Sequence, residues 1–307
     1  MSSSLWHVTA NILLAVLGLQ ETFPDRKCRS DWVGYLVGSK KISDAMNKET
    51  LANGSDESIV LGWVHHFEVL ARFTFRHWRI EQMAGNLGGL EFDSNREQIC
   101  TLQVKLARAT FLHAVPGSCA HAHPVLQVLA EVSAISMSST HSSYTVNEYQ
   151  KVLAGLRIKL DNVATTPIGL DACSAEVIRH EQDLLQLTRL AGLIYLERVS
   201  NNFSGRSTKL NAWVQQAVSI FAQMETCLAP FALFVIGCEL DNDEDRIIVL
   251  CLFARMEQRP HLRSMTETRS LIQTAWNQQD LAGEEQMGYV HKLNLVISSR
   301  DVMPSLI

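Results

Sequence analysis

Ala175-Glu-Val-Ile-Arg-His-Glu-Gln-Asp-Leu-Leu-Gln-Leu-Thr-Arg-Leu-Ala-Gly-Leu-Ile-Tyr-Leu-Glu-Arg-Val199 is the most strongly patterned stretch of the chain. Leu184, Leu187, Ala191, Ile194 and Arg198 recur at three- and four-residue steps and share one helical face. Leu185, Leu190, Leu193 and Leu196 widen that face. An apolar surface so broad is buried against more than one neighbour. The stretch therefore predicts a long core helix.

The same period runs outward in both directions. Thr9 to Leu19, Asp31 to Ala45 and Ser58 to Trp78 read as helices, the last with Trp63, Phe67, Leu70, Phe73, Thr74 and Trp78 on its stripe. Asn53-Gly-Ser-Asp56 supplies a loop and a capping candidate before it. Gly85 to Gly89 breaks the pattern, and Ser94-Asn-Arg-Glu97 spells a capping box for a helix to about Ala114. Pro124 opens a helix striped by Val125, Leu129, Val132 and Ile135. Ser136 to Ser143 reads as a loop, Val146 to Val163 as an amphipathic helix, and Asn201 to Gly205 as a turn. Thr208 to Met224, Pro230 to Leu240, Ile247 to Met256, Ser264 to Gln278 and Glu284 to Ile297 complete the set. Ile247 to Met256 is apolar nearly all round, which marks it as the central helix. Ten or more helices without an alternating strand predict an all-α fold, an irregular multi-helix bundle or α-solenoid. Residues 1–307 read as one domain, with sub-blocks 1–84, 90–165 and 170–307.

Composition agrees with that class. Of 307 residues, 47% are hydrophobic and 19% charged, enough apolar material for a sizeable core, while 7 prolines and 16 glycines leave little room for a many-turned β fold. Lys+Arg 27 against Asp+Glu 32 gives a net charge of −5, which disfavours autonomous binding to nucleic acid phosphates. The seven cysteines (Cys28, Cys100, Cys119, Cys173, Cys227, Cys238 and Cys251) are scattered and odd in number. No Cys-x2-Cys pair occurs, so a reduced compartment is expected, with Cys238 and Cys251 as small core hydrophobes. Ile12 to Leu19 has the size of a signal-peptide core but lacks a basic flank and a cleavage site, and it is too short for a membrane span. It reads as a buried N-terminal helix.

Chemistry-bearing motifs are sparse. His180-Glu181-x-x-Leu184 opens like a zinc-protease helix but carries leucine where the second imidazole must stand. Cys119-x-His121-x-His123 offers three donors without a fourth, and His65-His66 fits a half-buried helix face. No nucleophile elbow, P-loop or dinucleotide fingerprint is present. Glu239, after the apolar run Phe231 to Cys238, has the setting of a raised-pKa base, but a structural ion pair with Arg246 or Arg255 is the expectation. Asp243 and Glu244 belong in the first turn of the next helix, at the positive end of its dipole. No catalytic, cofactor-binding, metal or DNA-binding residues are assigned, and no cofactor is expected.

Cys227-Leu-Ala-Pro-Phe-Ala-Leu-Phe-Val-Ile-Gly-Cys-Glu239, followed by Asp243-Glu-Asp-Arg246 and Ala275-Trp276-Asn-Gln-Gln-Asp280, resembles the C-terminal regulatory domain of fungal-specific zinc-cluster (Zn2Cys6) transcription factors. Phe67-Glu-Val-Leu-Ala-Arg-Phe-Thr-Phe-Arg-His-Trp78, Gly117-Ser-Cys-Ala-His-Ala-His-Pro-Val-Leu-Gln-Val-Leu-Ala-Glu131 and Ala191-Gly-Leu-Ile-Tyr-Leu196 are similar to further helices of that family, in the same order. Phe231 and Ala232 stand where the family usually carries tryptophan and proline. The Cys-x2-Cys-x6-Cys opening of the zinc cluster, its basic linker and its coiled coil find no match. The resemblance implies an all-helical regulatory domain without its own zinc cluster, a short form or one that has lost its DNA-binding end. It implies action in the nucleus (the cytoplasm being the other compartment considered), on metabolic or secondary-metabolite gene clusters, and no enzymatic activity. Partners would be the transcription machinery, other zinc-cluster factors or a second copy, and a small-molecule effector, with DNA engaged only indirectly and no membrane. The alternative is a helical small-molecule sensor or carrier, with a pocket lined by Trp63, Trp78, Trp213 and Trp276. An enzyme built on Glu239 and the histidines is the third reading.

Overall fold

Cap chemistry sets where some of the helices begin. A computed structural model describes residues 3–20, 31–46, 55–78, 106–107, 110–111, 122–135, 146–169, 173–200, 205, 207–258, 263–281, 288–300 and 303–307. Eleven named helices and no strand occur among them: α1 (Ser3–Gln20), α2 (Asp31–Ala45), α3 (Asp56–His77), α4 (Pro124–Ile135), α5 (Val146–Asn162), α6 (Ala175–Ser200), α7 (Thr208–Gln223), α8 (Pro230–Gly237), α9 (Asp243–Met256), α10 (Arg263–Leu281) and α11 (Tyr289–Ser298). The Ser55 hydroxyl accepts from the Ser58 N–H to start α3, and the Asn242 side chain accepts from the Asp245 N–H to start α9. Asp243 and Glu244 fill the first turn of α9 as expected. The Gly85–Gly89 connection, the capping box at 94–97, Cys119, His121 and the loop 136–143 lie outside the described residues.

The core is centred on α8, not on α9. Every residue of α8 is buried, and it packs between α6 and α10. The expectation of a central helix at Ile247 to Met256 is corrected: Ile247 is 56% exposed and Cys251 is exposed. The reason is neighbour number. α9 packs mainly on α7, so only Asp245, Val249, Leu252, Phe253 and Met256 are fully covered, Ile248 and Leu250 are half-buried, and Ile247 and Cys251 face outward. The stripe expected on α3 holds at Phe67, Leu70, Phe73, Thr74 and Trp78 and is corrected at one position. Trp63 is 47% exposed, whereas Val60, Leu61, Val64 and His65 face inward.

The reading of α6 holds. Leu187, Leu190, Ala191, Leu193, Ile194, Tyr195, Leu196 and Val199 are all buried, because α6 touches α4, α5, α7, α8 and α11. α1 packs on α10 as well as on α2 and α3, and α11 packs on α3 and α6. Contacts between elements so far apart in sequence make a bundle; a solenoid would join only neighbours. A hydrophobic cluster runs from Leu5 to Leu306 through these helices.

Candidate functional site

Buried polar groups locate both the structural supports and the place where a ligand could enter. Glu239, at the end of the apolar run, meets Arg198: Nε of Arg198 donates to Oε1 at 3.1 Å and to Oε2 at 2.9 Å, and Nη2 donates to Oε2 at 2.5 Å. The Glu239 side chain is 4% exposed and that of Arg198 11%. Arg198 also donates to the Gly205 carbonyl and lies over the Tyr289 ring, 5.5 Å from its centroid. The structural ion pair expected for Glu239 is present, but its partner is neither Arg246 nor Arg255. Arg246 pairs with Asp280 at 3.0 Å and covers the Trp276 ring at 5.3 Å, and its guanidinium holds the Asp280 carboxyl below its ordinary pKa. Arg255 donates to the carbonyls of Phe221 and Met224 at the end of α7. Arg198 lies 41 positions from Glu239 in the chain, a pairing that local spacing does not show.

The end of α8 is held by α10. Trp276 Nε1 donates to the Gly237 carbonyl at 2.8 Å, and Gln279 Nε2 donates to the Cys238 carbonyl at 2.6 Å, so orphan carbonyls at the helix end find partners. Deeper still, His77 lies between Tyr195 Oη and Asn294 Oδ1, each at 2.8 Å, and ties α3 to α6 and α11. Burial pushes the Cys227 thiol up to about 12 and raises Cys238 well above its ordinary value, first through burial and then through the Glu239 charge. Thiols held protonated in this way are poor nucleophiles.

An opening bordered by the start of α8 lies among the described residues. A cavity of about 660 Å³ is enclosed by α3, the start of α4, the 167–168 turn, the first half of α6, the start of α8 and Ile307. Helix α3 contributes Ile59, Trp63, His66 and Leu70, and α6 contributes Val177, Glu181, Leu184, Leu185 and Thr188. The floor is Ala229, Pro230, Phe231 and Ala232. Its size lies within the usual range for small-molecule sites, ~300–1,000 Å³. His66 is half-buried; burial, and after it the charge of His65, lowers its pKa to about 4, so the ring is neutral near pH 7. Neither His66 nor Trp63 has a side-chain hydrogen bond among the described residues.

The cavity suits binding better than reaction. His123 has both ring nitrogens occupied: Nε2 donates to the Thr166 carbonyl at 3.0 Å, and Nδ1 accepts from the Val125 N–H at 3.2 Å. It serves as a cap for α4, which also removes it as a ready metal ligand. The Thr188 hydroxyl donates to the Leu184 carbonyl at 2.8 Å. His180 Nε2 donates to the Thr226 carbonyl at 3.0 Å and is thus a link between α6 and the 224–229 turn. Among the described residues no cluster of three or more His, Cys, Asp or Glu side chains could hold a metal ion, and no helix is long and apolar enough to cross a membrane.

The four tryptophans do not line one pocket. Trp63 borders the cavity, Trp78 and Trp276 are buried in the core, and Trp213 packs half-buried against it. Sequence reasoning missed the cavity itself. Its local signals were Trp63 and the pair Leu184-Leu185, which widens the apolar face of α6 and lines the cavity.

A family model described as the fungal specific transcription factor domain matches residues 6–303. Transcription factor iacI of Pestalotiopsis fici (strain W106-1 / CGMCC3.15140) is 30% identical over 302 residues, 97% of this chain and 71% of that protein. No solved structure matches the chain.

Proposed function

Because the chain belongs to the fungal specific transcription factor domain family and is a transcriptional regulator, we propose that its 307 residues act as a single regulatory unit through protein contacts and a small-molecule effector, without bond-breaking chemistry. It acts in the nucleus, on transcription machinery, on other zinc-cluster factors or on a second copy of itself, and it engages DNA only indirectly. Its targets are the genes of a metabolic or secondary-metabolite cluster.

The observation that carries this reading is the fate of the most reactive side chain. Glu239, the best candidate base in the sequence, is closed in a two-pronged pair with Arg198. Such a pair braces α6 against the end of α8 and occupies both carboxylate oxygens with the Arg198 guanidinium. The apolar cavity beside the start of α8 is then the natural place for a small molecule to be sensed, since its floor is the core helix.

Tethering tests the reading. Residues 1–307 fused to an unrelated DNA-binding module are expected to change transcription of a reporter bearing that module's site, relative to the module alone. The purified chain by itself should give no sequence-specific complex in a gel-shift assay. An unchanged reporter with a well-expressed, nuclear fusion would overturn the regulatory reading, and a salt-resistant specific band would overturn indirect DNA engagement.

A further inference from the structure

The cavity between α3, α4, α6 and α8 has a chemistry that selects among small molecules. Its walls are mostly aliphatic and aromatic, with Leu70, Leu126, Leu184, Leu185 and Phe231 among them. Among the described residues no lysine or arginine side chain is present in the lining, and the one formally charged side chain among them is the Glu181 carboxylate. An anionic ligand would therefore shed its hydration shell without gaining a cation and would meet a like charge, which is costly in an apolar site. Two polar groups remain for a neutral ligand, the imidazole of His66 and the indole N–H of Trp63, and neither side chain has a hydrogen bond among the described residues.

We propose that this cavity binds an uncharged, largely apolar small molecule that lays a flat or ring portion against Trp63 and exchanges a hydrogen bond with His66. The neutral imidazole can donate from one nitrogen and accept at the other, so a hydroxyl or a carbonyl on the ligand satisfies it equally. Phosphorylated or carboxylated metabolites are excluded by the same lining. Occupancy stabilises the folded chain by mass action, and because the floor is Pro230, Phe231 and Ala232 of the fully buried α8, the ligand braces the core directly. That this binding changes transcription rests on the regulatory reading above; that the cavity binds does not.

The experiment uses the purified 307-residue chain and two dyes, neutral Nile red and anionic anilinonaphthalene sulfonate. Nile red is expected to bind saturably, one per chain, and to alter the part of the tryptophan emission that the Trp63→Phe variant lacks. Leu185→Trp, which fills the cavity from α6, should weaken Nile red about tenfold or more by steric exclusion. His66→Phe should weaken it about three- to tenfold through the lost hydrogen bond. The anionic dye should bind poorly, and Glu181→Lys should strengthen it several-fold. Circular dichroism of each variant verifies folding before titration. Non-saturable Nile red binding, or binding that both folded variants leave unchanged, overturns the site. Anionic dye bound more tightly than Nile red overturns the ligand class. Either failure leaves the tethering experiment unaffected, so the two readings stand or fall separately.

Discussion

Gly237 lies where α8 meets α10, and a single methyl group there probes how tightly the core is closed. A Cβ built on Gly237 would stand 2.8 Å from Ile272 Cδ1, 3.0 Å from Cγ1 and 3.2 Å from Cγ2. Cδ1 is the end of the side chain and can swing away. Cγ1 and Cγ2 are attached to Cβ, and Ile272 is 1% exposed, so relief requires the whole side chain or α10 itself to move. Overpacking of this kind costs ~1–3 kcal/mol. Alanine returns ~0.4–1 kcal/mol by restricting the unfolded chain. The expected net loss for Gly237→Ala is thus about 1–2 kcal/mol, a sizeable part of a typical ~5–15 kcal/mol stability. Ile272→Ala removes Cγ1, Cγ2 and Cδ1 and alone should cost ~2–5 kcal/mol. Combined with Gly237→Ala it should relieve the clash, so the double variant loses about 1 kcal/mol less than the sum of the singles. Urea denaturation of the four proteins, followed by far-ultraviolet circular dichroism, measures the cycle. Additive losses, or a Gly237→Ala midpoint at or above that of the wild type, would refute the tight crossing.

Three further outcomes are expected. Glu239→Ala strands Arg198 and should cost ~3–5 kcal/mol, whereas replacing the pair together by Arg198→Met and Glu239→Leu should cost clearly less; equal losses in chemical denaturation would deny the buried pair. Asn242→Ala removes the cap of α9 and should cost ~1 kcal/mol, read as a lower thermal midpoint. His66, with His65 beside it on α3 and Glu181 and His123 on other walls of the cavity, has a folded pKa of about 4, below its ordinary 6.5. Between those values the unfolded chain holds more protons, so the contribution is fully present above pH 6.5 and is lost as pH falls towards 4. By linkage it amounts to at most ~3 kcal/mol. His66→Phe should flatten the acid limb of the stability profile between pH 6.5 and 4, and an unchanged slope would contradict the shift.

The all-α class, the helix periods, the cap at Ser55, the acidic first turn of α9 and the breadth of α6 were legible along the chain, because each is set by residues within one or two turns of each other. The family followed from the order of apolar segments, and its segments turn out to be in contact: Glu239 braces α6, and Arg246, Trp276 and Asp280 meet at the end of α8. Which helix is central was not legible. α8 and α9 are both apolar runs, and their burial depends on how many neighbours arrive, a property of packing and not of composition.

Local spacing alone thus determined an all-helical chain in which no complete catalytic motif can be read, and the resemblance of its segments to a known family supplied the regulator. Tertiary structure decided the rest. It gave Glu239 the distant Arg198, turned His123 into a cap, dispersed the four tryptophans, and left a cavity walled by four helices, since charge pairing and enclosed volume arise only when remote segments meet in space.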